Sequence, residues 1–152
     1  MIKTVCFTGH RKLPISKLEI IKSQLEIQIK DFINQGAEVF IDGGAIGFDL
    51  LAAECVINIK KIKLFLVLPC EDQSQQWKYE DIARYENIKS QADNIQYISR
   101  SYYKGCMLDR NKNMVDRSDA VIAYFNGNPH TGTSFTLKYA QGKSKKIVFV
   151  IA

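Results

Sequence analysis

The chain has 152 residues, 46% hydrophobic and 24% charged, which suits one globular domain with its own core and excludes a disordered or fibrous chain. The net charge of +5 comes from scattered lysines, such as Lys60, Lys61 and Lys63 or Lys143, Lys145 and Lys146, which suit helix ends. No compact basic run tracks a phosphate backbone, and no apolar run nears the roughly 20 residues of a membrane span, so neither nucleic acid nor a membrane is the expected partner.

Residues 1–5 lead straight into a strand pattern without a signal-peptide layout, so a cytoplasmic location is expected. Residues 4–8 (T-V-C-F-T) carry the β-branched and aromatic residues of a first strand. Gly9-His10-Arg11 ends it, and Pro14 marks a loop. Ser16-Lys17-Leu18-Glu19 has capping-box spacing, and Leu18, Ile21, Leu25, Ile29, Phe32 and Ile33 follow at helical intervals until Gly36. Residues 38–42 form a second strand. A helix over 47–59 follows, with Leu50, Ala53 and Ile57 on one face. The apolar run 64–68 reads as a strand buried on both faces, as in parallel sheets, and stops at Pro69. Residues 73–92 are helical but less regular, with Trp77, Ile82, Tyr85 and Ile88 inward. A strand over 94–98, a helix over 104–117 and a strand over 120–125 come next. A turn at 125–129 leads to a helix over 132–141, ended by Gly142, and a last strand over 146–151.

Strands and helices alternate throughout, which predicts a single α/β domain over 1–152 with a largely parallel sheet. Right-handed crossovers favour the strand order 4-3-2-1-5-6, with a switch point between strands 1 and 5. Ligands of open α/β sheets bind at the strands' C-terminal edge near such a point. Cysteines stand at 6, 55, 70 and 106 with no Cys-x-x-Cys pair, and the only histidines are His10 and His130. No zinc spacing can be assembled from these, so reduced thiols, no metal and no resident cofactor are expected.

The loops that reach the C-terminal edge carry the candidate chemistry. After the second strand, Asp42-Gly43-Gly44-Ala45-Ile46-Gly47-Phe48-Asp49 reads as a tight turn into a helix. Its glycines would leave amide N–H groups uncovered, and the helix start adds donors, so the turn is a candidate anion cradle. After the first strand come Thr8, Gly9, His10 and Arg11, and Arg11 offers a planar fork for phosphate or carboxylate. Pro69 follows the third strand. Asn126 and then Thr131, Gly132, Thr133 and Ser134 follow the fifth; their hydroxyls at a helix start can cap it or contact an anion. Asn111 shares an apolar helix stripe with Leu108 and Val115, so it bonds either a neighbouring loop or a ligand. Asp116, Asp119, Arg110 and Arg117 read mostly as helix-end and turn electrostatics. The candidate ligand-binding set is therefore Thr8, Gly9, His10, Arg11, Gly43, Gly44, Ala45, Gly47, Asp49, Pro69, Asn111, Asn126, Thr131, Gly132, Thr133 and Ser134. Asp49 is also the candidate catalytic acid or base.

In order along the chain, T-G-H-R at 8–11, G-G-A-I-G-F-D at 43–49, L-P-C-E at 68–71, G-C-M-L-D-R-N-K-N-M-V-D-R-S-D at 105–119 and F-N-G-N-P-H-T-G-T at 125–133 resemble the YpsA-like branch of the SLOG superfamily. That superfamily also holds the DNA-processing protein DprA/Smf and the Lonely Guy phosphoribohydrolases. The resemblance implies a Rossmann-like three-layer sandwich with a mainly parallel sheet of about six strands. It also implies a pocket for a nucleotide or nucleotide-derived ligand, often in a homo-oligomer. Two departures stand out. The relatives' Gly-Gly-Thr is Thr131-Gly132-Thr133 here, and the glutamate of Lonely Guy enzymes falls on Thr136. Cleavage of an N-glycosidic bond needs a proton-exchanging group, which leaves Asp49 and Glu54 as the substitutes. The first functional expectation is a binder that senses or sequesters a nucleotide-derived signal. The second is a hydrolase acting on a nucleoside phosphate or an ADP-ribose-type ligand, and the third a DprA-like binder of single-stranded DNA.

Overall fold

The computed structural model describes residues 1–152. Six short runs rich in Val, Ile, Leu and Phe pair side by side: β1 (Thr4–Thr8), β2 (Val39–Asp42), β3 (Lys63–Leu68), β4 (Asn94–Tyr97), β5 (Ala120–Ala123) and β6 (Lys146–Phe149). Their order is β4-β3-β2-β1-β5-β6, and every pairing is parallel. Five helices make the crossovers: α1 (Leu18–Asn34), α2 (Phe48–Ile57), α3 (Tyr79–Gln91), α4 (Cys106–Asp116) and α5 (Gly132–Gly142). The fold is α/β and Rossmann-like, with the expected strand order.

Because side chains alternate along a strand, each strand feeds two cores. Phe7, Phe40, Leu64, Leu66 and Ile122 face a large core shared with α1, α2 and α3. Cys6, Ile41, Val67, Val121 and Ala123 face a smaller one under α4 and α5. In α1 the stripe Ile21, Leu25, Ile29 and Phe32 is buried. The more central α2 is buried over much of its circumference, and its Ala52 and Ala53 permit close approach. No helix is long and apolar enough to cross a membrane.

Several boundaries differ from expectation for local reasons. Residues Ile15–Lys17 take a 3-10 turn after Pro14, so α1 starts at Leu18 with Lys17 as an N-cap that makes no side-chain bond. The capping box is therefore not formed, and Leu18 stays partly exposed. The helix expected from 73 begins only at Tyr79, because Gln75 and Trp77 close tight turns onto Asp72 and Ser74. β5 ends at Ala123 and β6 at Phe149, where the chain bends into loops at the C-terminal edge. Asp119 is a strand anchor rather than a helix-end charge. Its Oδ2 accepts from the N–H groups of Lys3 (2.9 Å) and Thr4 (3.0 Å), which holds its pKa below the usual range.

Candidate functional site

The loops after β1 and β2 interlock through glycine. A Cβ on Gly9 would lie inside the Phe48 side chain, and one on Gly47 would lie against the Arg11 carbonyl. Gly47 also has φ +83°, a region that side chains disfavour. The Phe48 N–H donates to the His10 carbonyl at 3.0 Å. Backbone thus meets backbone at the start of α2, and His10 and Arg11 are fixed at the rim of a cavity of about 360 Å³. The cavity lies at the C-terminal ends of β1 and β5, where the crossovers diverge to opposite faces of the sheet. The starts of α4 (Met107, Leu108, Arg110, Asn111) and α5 (Thr131, Gly132, Thr133) complete it.

Behind the wall sits a buried charge cluster of Asp42, Asp49 and Arg110. Gly43 is its pivot. The Gly43 carbonyl accepts from Arg110 Nη1, and a Cβ there would stand 2.7 Å from Nη1 and 2.9 Å from Asp49 Oδ2. The Gly44 N–H donates to Asp42 Oδ1 at 2.7 Å, and the Ala45 N–H to Asp49 Oδ2 at 3.3 Å. The turn is therefore not an open anion cradle: the protein's own carboxylates take these amides. Burial pushes Asp49 up to about 6, against the pull of Arg110, the Ala45 N–H and Arg11. Burial, and then the charge of Asp49, push Asp42 well above the carboxylate range. Burial lowers Arg110, and the two aspartates oppose it. Two acids share one guanidinium, so Asp42, whose Oδ2 has no partner, is the natural holder of a proton.

A relay of hydrogen bonds carries Arg110 to α5. Arg110 Nε donates to Asn111 Oδ1 (2.7 Å), Asn111 Nδ2 donates to Thr136 Oγ1 (2.9 Å), and that hydroxyl donates to the Gly132 carbonyl (2.9 Å). Thr131 caps α5 by accepting from the Ser134 N–H at 3.2 Å. The first amides of the helix, at Gly132 and Thr133, have no intrahelical partner and border the cavity. Arg110 Nη2 makes no hydrogen bond and is not fully buried. His10 Nε2 accepts from the Asn126 N–H at 3.0 Å, which fixes a neutral ring with its proton on Nδ1, and burial lowers its pKa. That ring stacks on Phe125 at 5.8 Å and meets Tyr124 edge-on at 5.9 Å.

The model of a family described as the YspA SLOG family matches residues 5–151. The chain belongs to that family. It is similar to a UPF0398 protein of Halalkalibacterium halodurans, 30% identical over 95% of this chain and 84% of that protein. Among solved structures it is similar to DNA processing protein A from Helicobacter pylori, described for its single-stranded DNA binding mode (TM-score 0.71, 23% identity, 97% of this chain and 64% of that one). It is also similar to DNA processing protein A from Streptococcus pneumoniae (TM-score 0.70, 15% identity, 97% and 50%). The chain thus spans under two thirds of either DNA-processing protein, and the likeness is one of fold.

In this SLOG chain the cavity brings together Thr8, Gly9, His10, Arg11, Ala45, Asp49, Asn111, Thr131, Gly132 and Thr133. Gly43, Gly44 and Gly47 stand behind the wall and hold the cluster and the Arg11 loop. Ser134 is one step deeper, its amide held by Thr131. Asn126 lies on the far side of His10. Pro69 is buried at the end of β3, outside the lining, where its carbonyl accepts from the Ser99 N–H at 3.1 Å. Glu54 is committed to Arg84 through two bonds of 2.6 and 2.9 Å, which leaves Asp49 the sole carboxylate in the lining. Asn111 bonds no loop backbone: its amide bridges the Arg110 and Thr136 side chains at the edge of the cavity. Arg110, expected among the helix-end charges, is instead buried in the cluster and bonded to the Gly43 carbonyl. Its signal was present, because Cys106, Arg110 and Met114 stand at i, i+4 and i+8, an arginine inside a buried stripe. Burial raises the thiols of Cys6 and Cys70 to about 12 and that of Cys55 to about 11, so none of these is an activated nucleophile. No cluster of three or more His, Cys, Asp or Glu side chains is placed to hold a metal ion.

Proposed function

We propose that the protein binds a nucleotide or nucleotide-derived small molecule in this cavity, to sense or sequester it in the cytoplasm. One observation carries the reading. The cavity gathers Arg11, the free nitrogen of Arg110 and the first amides of α5 as donors for an anion, with Asp49 as an acceptor for hydroxyl groups. Its volume lies in the range of small-molecule sites. The test incubates the protein with a panel of nucleotides and follows melting temperature and product formation together. Stabilisation without turnover supports a binder, and Arg11→Ala should abolish that stabilisation. A panel that leaves the melting temperature unchanged sinks the reading.

A second reading is a hydrolase acting on a nucleoside phosphate or an ADP-ribose-type ligand. Asp49, raised to about 6 and alone among carboxylates in the lining, suits general acid–base work near neutral pH. Turnover that disappears in Asp49→Asn would support it. The described DNA-binding mode of the Helicobacter pylori neighbour raises a single-stranded DNA reading, tested by salt-sensitive retention of oligonucleotides. A homo-oligomer belongs to the same proposal, supported by the exposed Tyr102, Tyr103 and Phe135 near the starts of α4 and α5, and is measured by light scattering.

A further inference from the structure

The interlocked wall of Arg11 and Gly47 also borders a groove of about 260 Å³, set among the N-terminal halves of α1, α2 and α3. Arg11 is the one residue common to its lining and that of the first cavity. The floor of the groove is aliphatic. Leu13 from the loop after β1, Ile46 from the glycine turn and Leu51 of α2 are half-buried, packed on the large core on one side and lining the groove on the other. Leu18 joins them; the tight turn after Pro14 makes it the first residue of α1, and it stays 37% exposed. Four separate elements thus converge on one apolar surface that folding leaves uncovered.

The rim is charged and unevenly paired. Three cations, Arg11, Lys22 and Arg84, stand there with one carboxylate, Asp81. Arg84 is already engaged: its Nε and Nη2 donate to Glu54 at 2.9 and 2.6 Å, and its Nη1 lies 3.7 Å from Asp81 Oδ1. Arg11 and Lys22 are exposed, and neither is in an ion pair within 4.0 Å. Their methylene stems extend the apolar surface up to their charges. An apolar surface rimmed by unopposed cations is complementary to a ligand with an aliphatic body and an anionic head. The occupant is a small molecule rather than a partner helix, because a helix laid in a groove needs anchors spread over about two turns, and this is a single short compartment.

We infer that this groove is a second binding site, for a small aliphatic carboxylate: the chain lies over Leu13, Leu18, Ile46 and Leu51, and the carboxylate is held by Arg11 and Lys22. Arg11 borders both sites, so a substitution there cannot tell them apart; Lys22 borders only the groove and can. The test titrates octanoate and butanoate into the full chain by calorimetry, with two variants at exposed groove positions, Lys22→Glu and Leu18→Gln. The charge control is Lys30→Glu, about two turns further along α1, exposed and outside the lining. Octanoate should bind about 10-fold or more tightly than butanoate, because each methylene buried adds about fourfold. Lys22→Glu should weaken octanoate about 5-fold or more, the scale of one exposed ion pair lost and one repulsion gained. Leu18→Gln should narrow the gap between the two acids, and Lys30→Glu should change neither. No binding, or equal binding of the two acids, overturns the site. Octanoate binding that ignores Lys22→Glu, or that falls as far with Lys30→Glu, puts the acid elsewhere and overturns it too. The nucleotide reading is judged separately, by nucleotides in the first cavity, and stands or falls without these results.

Discussion

Asp49→Asn should make the protein more stable at pH 7.5, although the residue sits at the centre of the candidate site. In the native state burial lifts Asp49 from 3.8 to about 6. In the unfolded chain it titrates at its ordinary value. Between those two values the native state binds more protons than the unfolded state, so stability falls as pH rises. The full contribution is present below about pH 4 and is lost above about pH 6. A shift of about two units corresponds to about 3 kcal/mol. Asparagine keeps the size of the side chain and an oxygen that can accept from the Ala45 N–H, and it carries no charge to desolvate. Its loss of attraction to Arg110 is offset in part, because the charge that raises Asp42 disappears with it.

The variant should therefore exceed the wild type by up to about 3 kcal/mol at pH 7.5 and match it near pH 4. Two other groups titrate near this window. His10, lowered by burial, adds stability as pH rises toward 6.5, and Asp119, lowered by the Lys3 and Thr4 amides, loses stability as pH falls below 3.8. Both are present in wild type and variant and cancel in the difference curve, which reports Asp49 together with Asp42, whose raised pKa depends in part on the Asp49 charge. Urea unfolding from pH 4 to 8 measures it. A difference that does not change with pH, or an asparagine variant less stable than wild type at pH 7.5, refutes the reasoning.

Gly47→Ala puts a Cβ against the Arg11 carbonyl at a left-handed φ; it should cost about 2–4 kcal/mol in denaturant unfolding, and a loss under 1 would show that the two loops are not interlocked. Thr131→Ala removes the α5 cap and should cost about 1 kcal/mol, with faster amide exchange at Ser134; unchanged exchange there would argue against the cap. The imidazole of His10 should titrate below 6.5 by NMR, with Nε2 unprotonated at neutral pH, and protonation should release the Asn126 amide. Titration at or above 6.5 would contradict the buried, accepting ring.

What could be read in the sequence was what depends on period and order. The alternation of elements settles an α/β fold, and handed crossovers leave few strand orders, so the arrangement of the sheet and the position of its switch point were legible. The four loops at that edge followed from it. What could not be read depends on contacts between distant residues. The Gly43–Gly44 turn looked like an anion cradle because nothing local shows that Asp42 and Asp49 turn back onto its amides. Arg110 reaches across 67 positions to the Gly43 carbonyl, and no window of sequence displays that bond. Ser16 had the residue type and spacing of a cap, but the tight turn after Pro14 shifted the start of the helix past it.

The buried cluster is hard to account for as a stabilising device. Desolvating two carboxylates and a guanidinium costs several kcal/mol per ion before any pairing, and a hydrophobic replacement of such groups is often neutral or better. No ion pair within 4.0 Å joins Arg110 to either aspartate, so direct pairing does not recover that cost. The cluster does accomplish something geometric. Arg110 is held by the Gly43 carbonyl on one side and by Asn111 on the other, and through Asn111 and Thr136 it is tied to the first turn of α5. Asp49, pinned by the Ala45 N–H, presents the remaining acceptor from the opposite wall. The glycine turn at the end of β2 therefore does not offer its own amides to a ligand. It commits two of them to the Asp42 and Asp49 side chains, and the Arg110 guanidinium beside them lines the cavity together with Arg11 and the first residues of α5, where we propose that an anion binds.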